Sequence, residues 1–392
     1  NLRAKPQLKE EDLKTFEAVR DVWFSLPVEK KFQFLEDNVM MTTSKGKLIN
    51  LKLARFQKEW LLDGPLFKDY TKQISFNNRI SLKCRGVGAS YVMISLEATF
   101  AAWLYPNIFI PFVASKDEQA NDLIKHCKIM IRYCKFDLGL DTPLEYQTSS
   151  ELSFKNGSRI KTYPGGNPSG IRGPRALISY IDEAAFIKNF QEVVSAVEYF
   201  HSEGGQMNIL STPWGKNNLY WRIWVDREAY PAWHRHYVGL FEDMKDFDVT
   251  ISLPEQIKKF NLKLSAPWLS IDTLEKKRLQ DKPFNYVNFL QETCGIPLDE
   301  VTSVITEDLL NTNSMDFYDI GARPRDTEGK VDENPIYIIG ADFGAENNMT
   351  ALVVVEAKDG RFIVCHTDSF RGDFTEQVAK VKNLVNRFQP KY

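Results

Sequence analysis

At 392 residues, 43% of them hydrophobic and 12% aromatic, the chain is long enough for two or more cored domains and too apolar and varied to be disordered or a repeat array. Fifty Lys and Arg against 52 Asp and Glu give a net charge of -2, so any nucleic-acid contact must come from a local patch rather than a whole-chain field. Five scattered cysteines without CxxC spacing argue against a disulfide framework or zinc ribbon and predict an intracellular protein with free thiols.

In chain order, residues 1–45 read as polar helices around Leu13, Phe16, Val19, Val22 and Phe24, an adaptor layer or partner surface. Over residues 46–240 short apolar runs alternate with longer helical stretches: 80–84, 107–114, 176–182 and 207–212. Such alternation predicts an α/β domain, a mainly parallel sheet flanked by helices, with ligands at the carboxyl ends of its strands. The most apolar window, Val92 to Ala114, is interrupted by Glu97, Pro106 and Pro111, so it reads as a buried helix and strand rather than a membrane span. Residues 241–330 are richer in charge and form a predicted connecting subdomain, with a helix over 273–294. From 331 to 392 consecutive strands PIYIIGADF, TALVVVEA and RFIVCHTD, with turns at 344–348 and 359–360, predict a β-meander. A helix comes next, with an expected apolar face of Phe374, Val378, Val381, Val385 and Phe388, and the sequence ends at Tyr392, on this reading mid-domain.

The segment LKCRGVGAS, Leu82 to Ser90, joins a buried strand to a helix, the context in which backbone N–H groups and a helix N-terminus cradle phosphate. Against GxxxxGK[ST], Gly88 and Ser90 match, but Lys83 stands at the first glycine and Ala89 where the lysine belongs. A lysine at the loop's start can still reach the β- and γ-phosphates, and Arg85 is a second candidate cation. The alternative is a strand-to-helix turn with glycines for tightness.

The run ALISYIDEAAF ends an apolar strand in Asp182-Glu183. In phosphoryl-transfer sites an aspartate at a strand tip holds Mg²⁺ and a neighbouring glutamate orients and deprotonates water; the competing role is a helix cap. Arg172 lies in a glycine-flanked loop eleven residues before Glu183, suited to stabilising charge on a transferring phosphoryl or to ordinary solvation. Ser211 and Thr212 end the strand MNILST, where hydroxyls could sense the γ-phosphate.

Taken in order, these segments resemble the large subunits of terminases of tailed bacteriophages and related viruses. ARFQKEWL, with Gln57, is similar to the family's adenine-recognising glutamine motif. KCRGVGAS resembles the deviant P-loop whose lysine stands at the start, and VASKDEQANDL resembles the segment after the P-loop helix. The run from NGSRI through IRG to ISYIDEAAF resembles the approach to the Walker B strand, and LSTPWGKNN the coupling motif. The resemblance implies a P-loop ATPase of the ASCE type. Its nucleotide site would be Gln57, Lys83, Arg85, Gly86, Val87, Gly88, Ala89 and Ser90. Magnesium would sit on Ser90 and Asp182, with Glu183 as catalytic base, Ser211 and Thr212 coupling, and Arg172 or Arg85 as the arginine finger. YIIGADFGAENNMTALVVV resembles the first strands of an RNase H-like nuclease, implying Asp342 as the first ligand of Mg²⁺ or Mn²⁺; Asp368 and Glu346 are nearby carboxylates without an assigned role. Because further carboxylates would lie beyond Tyr392, the expectation is that this chain does not cleave DNA.

The function so implied is ATP-driven packaging of double-stranded DNA by a homo-oligomeric ring docked on a procapsid in the host cytoplasm, with a portal protein and a small terminase subunit as partners and no membrane. DNA-backbone contacts would fall on Lys125, Lys128, Arg132 and Lys135, on Lys258-Lys259, or on Lys276-Lys277-Arg278, each otherwise a solvated helix face. The alternatives are a helicase-like or remodelling ATPase and a structural subunit with a degenerate nucleotide site.

Overall fold

Apolar runs rich in Ile, Leu, Val and Phe, bounded by glycine, proline and asparagine, set the strands of a central eight-stranded sheet flanked by helices on both faces. The computed structural model describes residues 10–43, 46–72, 76–134, 144–201, 204–281, 286–298, 336–344, 349–358 and 361–390. They fall into two compact units, Asn1–Glu307 and Asp308–Tyr392.

In the first unit, helices α1 (Glu10–Ser25) and α2 (Val28–Asn38) precede an antiparallel ribbon, β1 (Met40–Thr42) with β2 (Leu48–Asn50), and α3 (Arg55–Leu62). The N-terminal helices are tied to the body of this unit: Trp23 donates its indole N–H to Leu66 O at 2.6 Å, and Trp23, Phe32 and Leu35 join the main core. Of the expected apolar positions there, Val22 is exposed, and the side chains of Leu13 and Phe16 lie outside the described residues.

The large sheet comprises β3 (Asn78–Lys83), β4 (Phe109–Ala114), β5 (Leu144–Gln147), β6 (Glu151–Phe154), β7 (Arg159–Pro164), β8 (Ile178–Asp182), β9 (Gln206–Ser211) and β10 (Trp233–Val238). Its order is β10-β3-β9-β8-β4-β7-β6-β5; every pair from β10 to β7 is parallel, and β7-β6-β5 is antiparallel. One strand, β9, stands between β3, which leads into the Lys83–Ser90 loop, and β8, which ends in Asp182. Alternation along the strands feeds two cores. Ile110, Phe112 and Tyr180 pack on one face with α4 (Glu97–Leu104) and α5 (Asp117–Tyr133); Phe109, Val113 and Ile181 pack on the other with α6 (Phe190–Glu198) and α7 (Leu219–Val225).

Between β3 and α4 the chain winds through a wide π-type turn, Ser90–Leu96. Such a turn displaces backbone carbonyls from the regular ladder, and Met93 O accepts the Trp60 indole N–H at 3.1 Å. Beneath it lies a fully buried ion pair. Arg79 Nη2 meets Glu97 Oε2 at 2.6 Å, Tyr180 and Trp60 donate to the same oxygen, and Arg79 Nε donates to Asn208 Oδ1. Five elements, β3, α3, α4, β8 and β9, are thereby tied together at the end of β3 opposite Lys83.

Beyond β10 a third core around Leu240, Phe241, Leu253, Phe289 and Cys294 gathers α8 (Leu253–Phe260), α9 (Ile271–Asp281) and α10 (Tyr286–Asn288), which runs on as a π-type turn to Cys294. The helix expected over 273–294 is thus two described pieces; residues 282–285 and 299–335 lie outside the described residues.

The second unit is the expected meander, β11 (Ile336–Asp342), β12 (Thr350–Lys358) and β13 (Arg361–Phe370), all antiparallel, followed by α11 (Phe374–Phe388). The expected helix face is corrected by the structure. Phe374 is 76% and Val385 42% exposed, while Gln377 and Leu384 are buried and Val381 and Phe388 pack on Tyr337 and Leu352. The buried stripe is therefore rotated toward 377, 381, 384 and 388, a spacing the polar Gln377 concealed. Its amide donates to the Gly344 and Gly372 carbonyls. The turn residues 345–348 and 359–360, Glu346 among them, lie outside the described residues.

Candidate active site

In a parallel sheet all the carboxyl ends lie along one edge, so residues far apart in sequence meet there. Lys83 ends β3, Asp182 ends β8 and Ser211 ends β9, with Leu82 in register with Ser211 and Leu210 in register with Asp182. At that edge Lys83 Nζ stands 2.9 Å from Glu183 Oε1, both largely shielded from water. Ser90, opening the helical turn after the loop, donates its hydroxyl to Asp182 Oδ2 at 2.7 Å. Glu183 has a left-handed backbone, φ 51°, uncommon for a residue with a Cβ, and its N–H bonds Asp182 Oδ1 at 3.0 Å. The sharp turn off the strand tip lets two neighbouring carboxylates face different partners.

Strand β9 closes the other side. Ser211 Oγ accepts the Ala185 N–H at 3.1 Å, and the Thr212 N–H and hydroxyl approach Glu183 Oε2 at 3.4 Å. Both hydroxyl residues expected to couple thus touch the turn that carries the acids.

Charge balance distinguishes the two carboxylates. Burial raises Asp182 above the ordinary carboxylate range, with the negative charge of Glu183 adding to the effect and Lys83 opposing it. Burial also works to raise Glu183, but the Lys83 ammonium, helped by the Thr212 N–H and the field of Arg85, outweighs it and holds Glu183 below that range. Burial would lower Lys83, yet Glu183 and Asp182 together hold it above the ordinary lysine value, so the ammonium stays charged.

The loop itself is clamped from three directions. Gly86 and Gly88 have φ of 79° and 70°, the left-handed geometry that turns successive amides to one side. Cys84 N–H bonds Val238 O, and Arg85 N–H bonds Glu292 O at 2.7 Å. The Arg85 side chain, 56% exposed, pairs with Glu292 at 3.0 Å. Gln57 lies buried under the loop, its Oε1 taking the Ala54 N–H at 3.0 Å and its Nε2 donating to Val87 O at 3.2 Å and Gly88 O at 3.4 Å. Val87 and Ala89 are buried beside it. From above, Trp268 donates its indole N–H to Gly86 O at 3.0 Å. Trp268 and Glu292 were not singled out from sequence, since neither stands in a motif; the loop's two glycines are the one hint that a bulky neighbour approaches.

Not every expected residue joins this cluster. Arg172 is exposed on the loop between β7 and β8; its Nε donates to Ser169 O at 3.1 Å, and it lines an open groove with Ile187, Lys188, Tyr199 and Arg222, apart from Lys83 and the acids. Among the basic patches, Arg278 is corrected: it is buried and forked onto Glu275 at 2.6 and 2.9 Å, leaving Lys276 and Lys277 to face solvent. On α5, Lys125 pairs with Asp122 and Lys128 donates to Thr148 O, while Lys135 lies outside the described residues. Lys258 and Lys259 remain exposed at the end of α8.

In the second unit Asp342 is exposed at the end of β11, in register with Ala351, which faces Ser369 on β13. Asp368 is in register with the buried Leu352 and pairs with Lys380 of α11 at 2.9 Å. Side chains alternate across a sheet, so Asp342 and Asp368 point to opposite faces and do not form a pair.

Among the described residues no cluster of three or more His, Cys, Asp or Glu side chains could hold a metal alone. Ser90 and Asp182 offer two hard oxygen donors, which suits Mg²⁺, an ion that keeps waters and takes its remaining ligands from phosphate. No described helix is long and apolar enough to cross a membrane.

A family model described as the N-terminal part of the terminase large subunit, T4likevirus type, matches residues 80–285. The HK97 bacteriophage large terminase has the same fold, with a TM-score of 0.53 at 17% identity over 90% of this chain and 70% of that one. The large terminase of a thermophilic bacteriophage, solved in complex with ADP, aligns at a TM-score of 0.46 and 12% identity over 86% of this chain and 74% of its own. The Thermus phage P74-26 large terminase ATPase domain aligns at 0.39 and 19% over 55% and 86%.

Proposed function

The chain belongs to the terminase large-subunit family, and from that premise we propose that it is the ATP-hydrolysing motor that packages double-stranded viral DNA. The observation that carries this reading is the meeting of Lys83, Ser90, Asp182 and Glu183 at the carboxyl edge of β3 and β8. A cation, a hydroxyl, a metal-binding acid and a second acid are the groups that phosphoryl transfer to water requires.

Lys83 binds the β- and γ-phosphates of ATP, and Ser90 and Asp182 hold Mg²⁺, which supplies neutralisation of the charge developing on the transferring phosphoryl. When the phosphates draw Lys83 away, Glu183 loses the partner that holds its pKa down. It then becomes a stronger base, oriented by Thr212, to take a proton from the attacking water. The resting ion pair thus keeps the base masked until substrate arrives. Arg172, apart from this cluster, fits a finger offered to a neighbouring subunit's ATP in a homo-oligomeric ring. Arg85, held by Glu292, shapes the field at Glu183.

Ser211 and Thr212 tie β9 to the acidic turn and so couple hydrolysis to the rest of the sheet. Exposed lysines such as Lys276 and Lys277 are candidates for transient contact with the DNA backbone, which must ignore sequence and weaken with salt. The ring acts in the host cytoplasm, docked on a procapsid with portal and small-subunit partners, and Asp342 is the first metal ligand of a nuclease domain. DNA-stimulated ATP turnover of the assembled protein tests the motor reading. Lys83→Ala and Glu183→Ala should each abolish it, and turnover undiminished in either overturns it.

A further inference from the structure

We propose that Trp268 is the base-contacting residue of the nucleotide site, and that this site accepts purine triphosphates with little discrimination between them. The inference rests on the nucleotide-binding reading above and adds what holds the base. Gln57, the residue whose resemblance suggests adenine recognition, has both ends of its amide committed. Its oxygen caps Ala54, and its nitrogen serves two loop carbonyls from a buried position. To read a base edge it would have to abandon bonds that hold the phosphate loop, so its structural role is to brace that loop.

Trp268 is placed differently. It follows Pro267 in a turn closed by Leu269 N–H to Ala266 O at 3.1 Å, with Ala266 fully buried, and Ser270 opens α9 immediately after. The backbone on either side is therefore anchored, and the bond from Nε1 to Gly86 O sets the ring's rotation. The six-membered ring edge comes within 3.3 Å of where a Cβ on Gly88 would stand, the same distance at which the Gln57 amide nitrogen meets it. The indole thus extends from the loop's first glycine to its second while remaining 42% exposed, and among the described residues no other ring stacks on it. Trp23, Trp60 and Trp103 are buried. An aromatic face held rigid and wet beside a phosphate loop is a platform for a base. Stacking tolerates any base, because every base has a π-face, whereas discrimination between adenine and guanine needs edge hydrogen bonds that Gln57 is not free to make.

Calorimetric binding of ATP, GTP and inorganic tripolyphosphate, each with Mg²⁺, to the wild-type chain, Trp268→Ala, Trp268→Phe and Lys83→Ala tests this. ATP and GTP should bind the wild type within about threefold of each other, and Trp268→Ala, which also removes the indole's bond to Gly86 O, should weaken both about tenfold or more beyond any loss it causes for tripolyphosphate. Trp268→Phe, which keeps a ring, should retain most of the affinity. The proposal is overturned if Trp268→Ala weakens tripolyphosphate as much as ATP, if it leaves ATP binding intact, or if the wild type prefers one purine by more than about tenfold. Failure of the phosphate reading would look different: the wild type would bind none of the three, or Lys83→Ala would not weaken tripolyphosphate, and the proposal would fall with it.

Discussion

Lys83 Nζ and Glu183 Oε1 stand 2.9 Å apart, each serving as the other's counter-ion, with Asp182 beside them. This arrangement gives the site a pH signature. Glu183 is held below its ordinary pKa, so its contribution to stability is present above the unfolded carboxylate range and is lost as pH falls through the depressed value. Lys83 is held above its ordinary value, so its contribution persists through neutral pH and is lost only as pH rises past the lysine range. Asp182, raised, has the opposite sign: ionising it costs stability as pH rises. Removing the cation by Lys83→Met leaves two neighbouring buried acids without compensation. The variant's Tm, relative to wild type, should therefore be lowest near neutral pH and recover as pH drops toward the carboxylate range. Parallel Tm–pH curves for the two proteins would show that Lys83 does not neutralise the pair.

Glu183→Gln separates binding from chemistry. The amide is nearly the same size; its one oxygen can accept from Lys83 or from Thr212 but not from both, as the two carboxylate oxygens do, and Lys83, Ser90 and Asp182 stay in place, so nucleotide affinity should change little. Turnover, lacking the general base, should fall by about 100-fold or more. If turnover stays close to wild type while binding holds, another group takes the proton.

Sequence legibility tracked burial. The four strands read from apolar runs, β3, β4, β8 and β9, stand side by side within the sheet in the order β3-β9-β8-β4. Each is covered on both sides; β4 (FIPFVA) is accordingly a continuous apolar run, while β3 (NRISLK) and β9 (QMNILS) keep apolar stretches around polar side chains that find partners inside. The flanking strands escaped because their exposed positions carry Arg, Lys, His and Glu, as in β10 (WHRHYV) and β7 (RIKTYP). Lys83, Ser90, Asp182 and Glu183 were legible because strand-end position is part of each motif, and the structure brings them together. Gln57 was legible as a residue, but its engagement with loop carbonyls was not. Trp268 reaches the site through a fold-back 182 residues downstream of Gly86, which no local pattern encodes.

Below the site, breaking the Arg79–Glu97 pair should cost the first unit more stability than replacing it whole. Both side chains are fully buried, so Glu97→Ala strands a guanidinium among Trp60, Tyr180 and Asn208. Breaking such a pair costs about 3–5 kcal/mol, whereas replacing both members by apolar residues is often close to neutral. In urea unfolding, Arg79→Met/Glu97→Leu should therefore be clearly more stable than Glu97→Ala. A double variant no better than the single one would mean that the hydrogen bonds from Trp60 and Tyr180, rather than the charges, hold this region.

Gly295 tests the floor of the phosphate loop. Its φ is 75°, and a Cβ there would lie 3.2 Å from Cys84 N, Cys84 Cβ and Val238 O. Backbone on both sides leaves no flexible atom to yield, so Gly295→Ala should cost roughly 1–3 kcal/mol. Because Cys84 follows Lys83, ATP affinity should drop as well, although no phosphate-binding side chain is altered. A variant with wild-type stability and affinity would show that residues 292–295 do not support the loop.

Arg172 lines a groove apart from the Lys83–Glu183 cluster and donates to its own loop's Ser169 O. If it acts on a neighbour's ATP, two inactive variants should complement each other in a mixed ring. Arg172→Ala supplies intact hydrolytic sites without a finger, and Glu183→Gln supplies fingers without a base. In an equal mixture, an active site forms wherever an Arg172→Ala subunit is served by a Glu183→Gln neighbour, so about a quarter of wild-type turnover should return if subunits assort at random. Each variant alone should remain silent under the same DNA-stimulated conditions. A mixture as inactive as its components, with ring assembly verified by light scattering, would mean that Arg172 does not act across subunits, whereas turnover retained by Arg172→Ala alone would leave the role to Arg85, whose field already reaches Glu183.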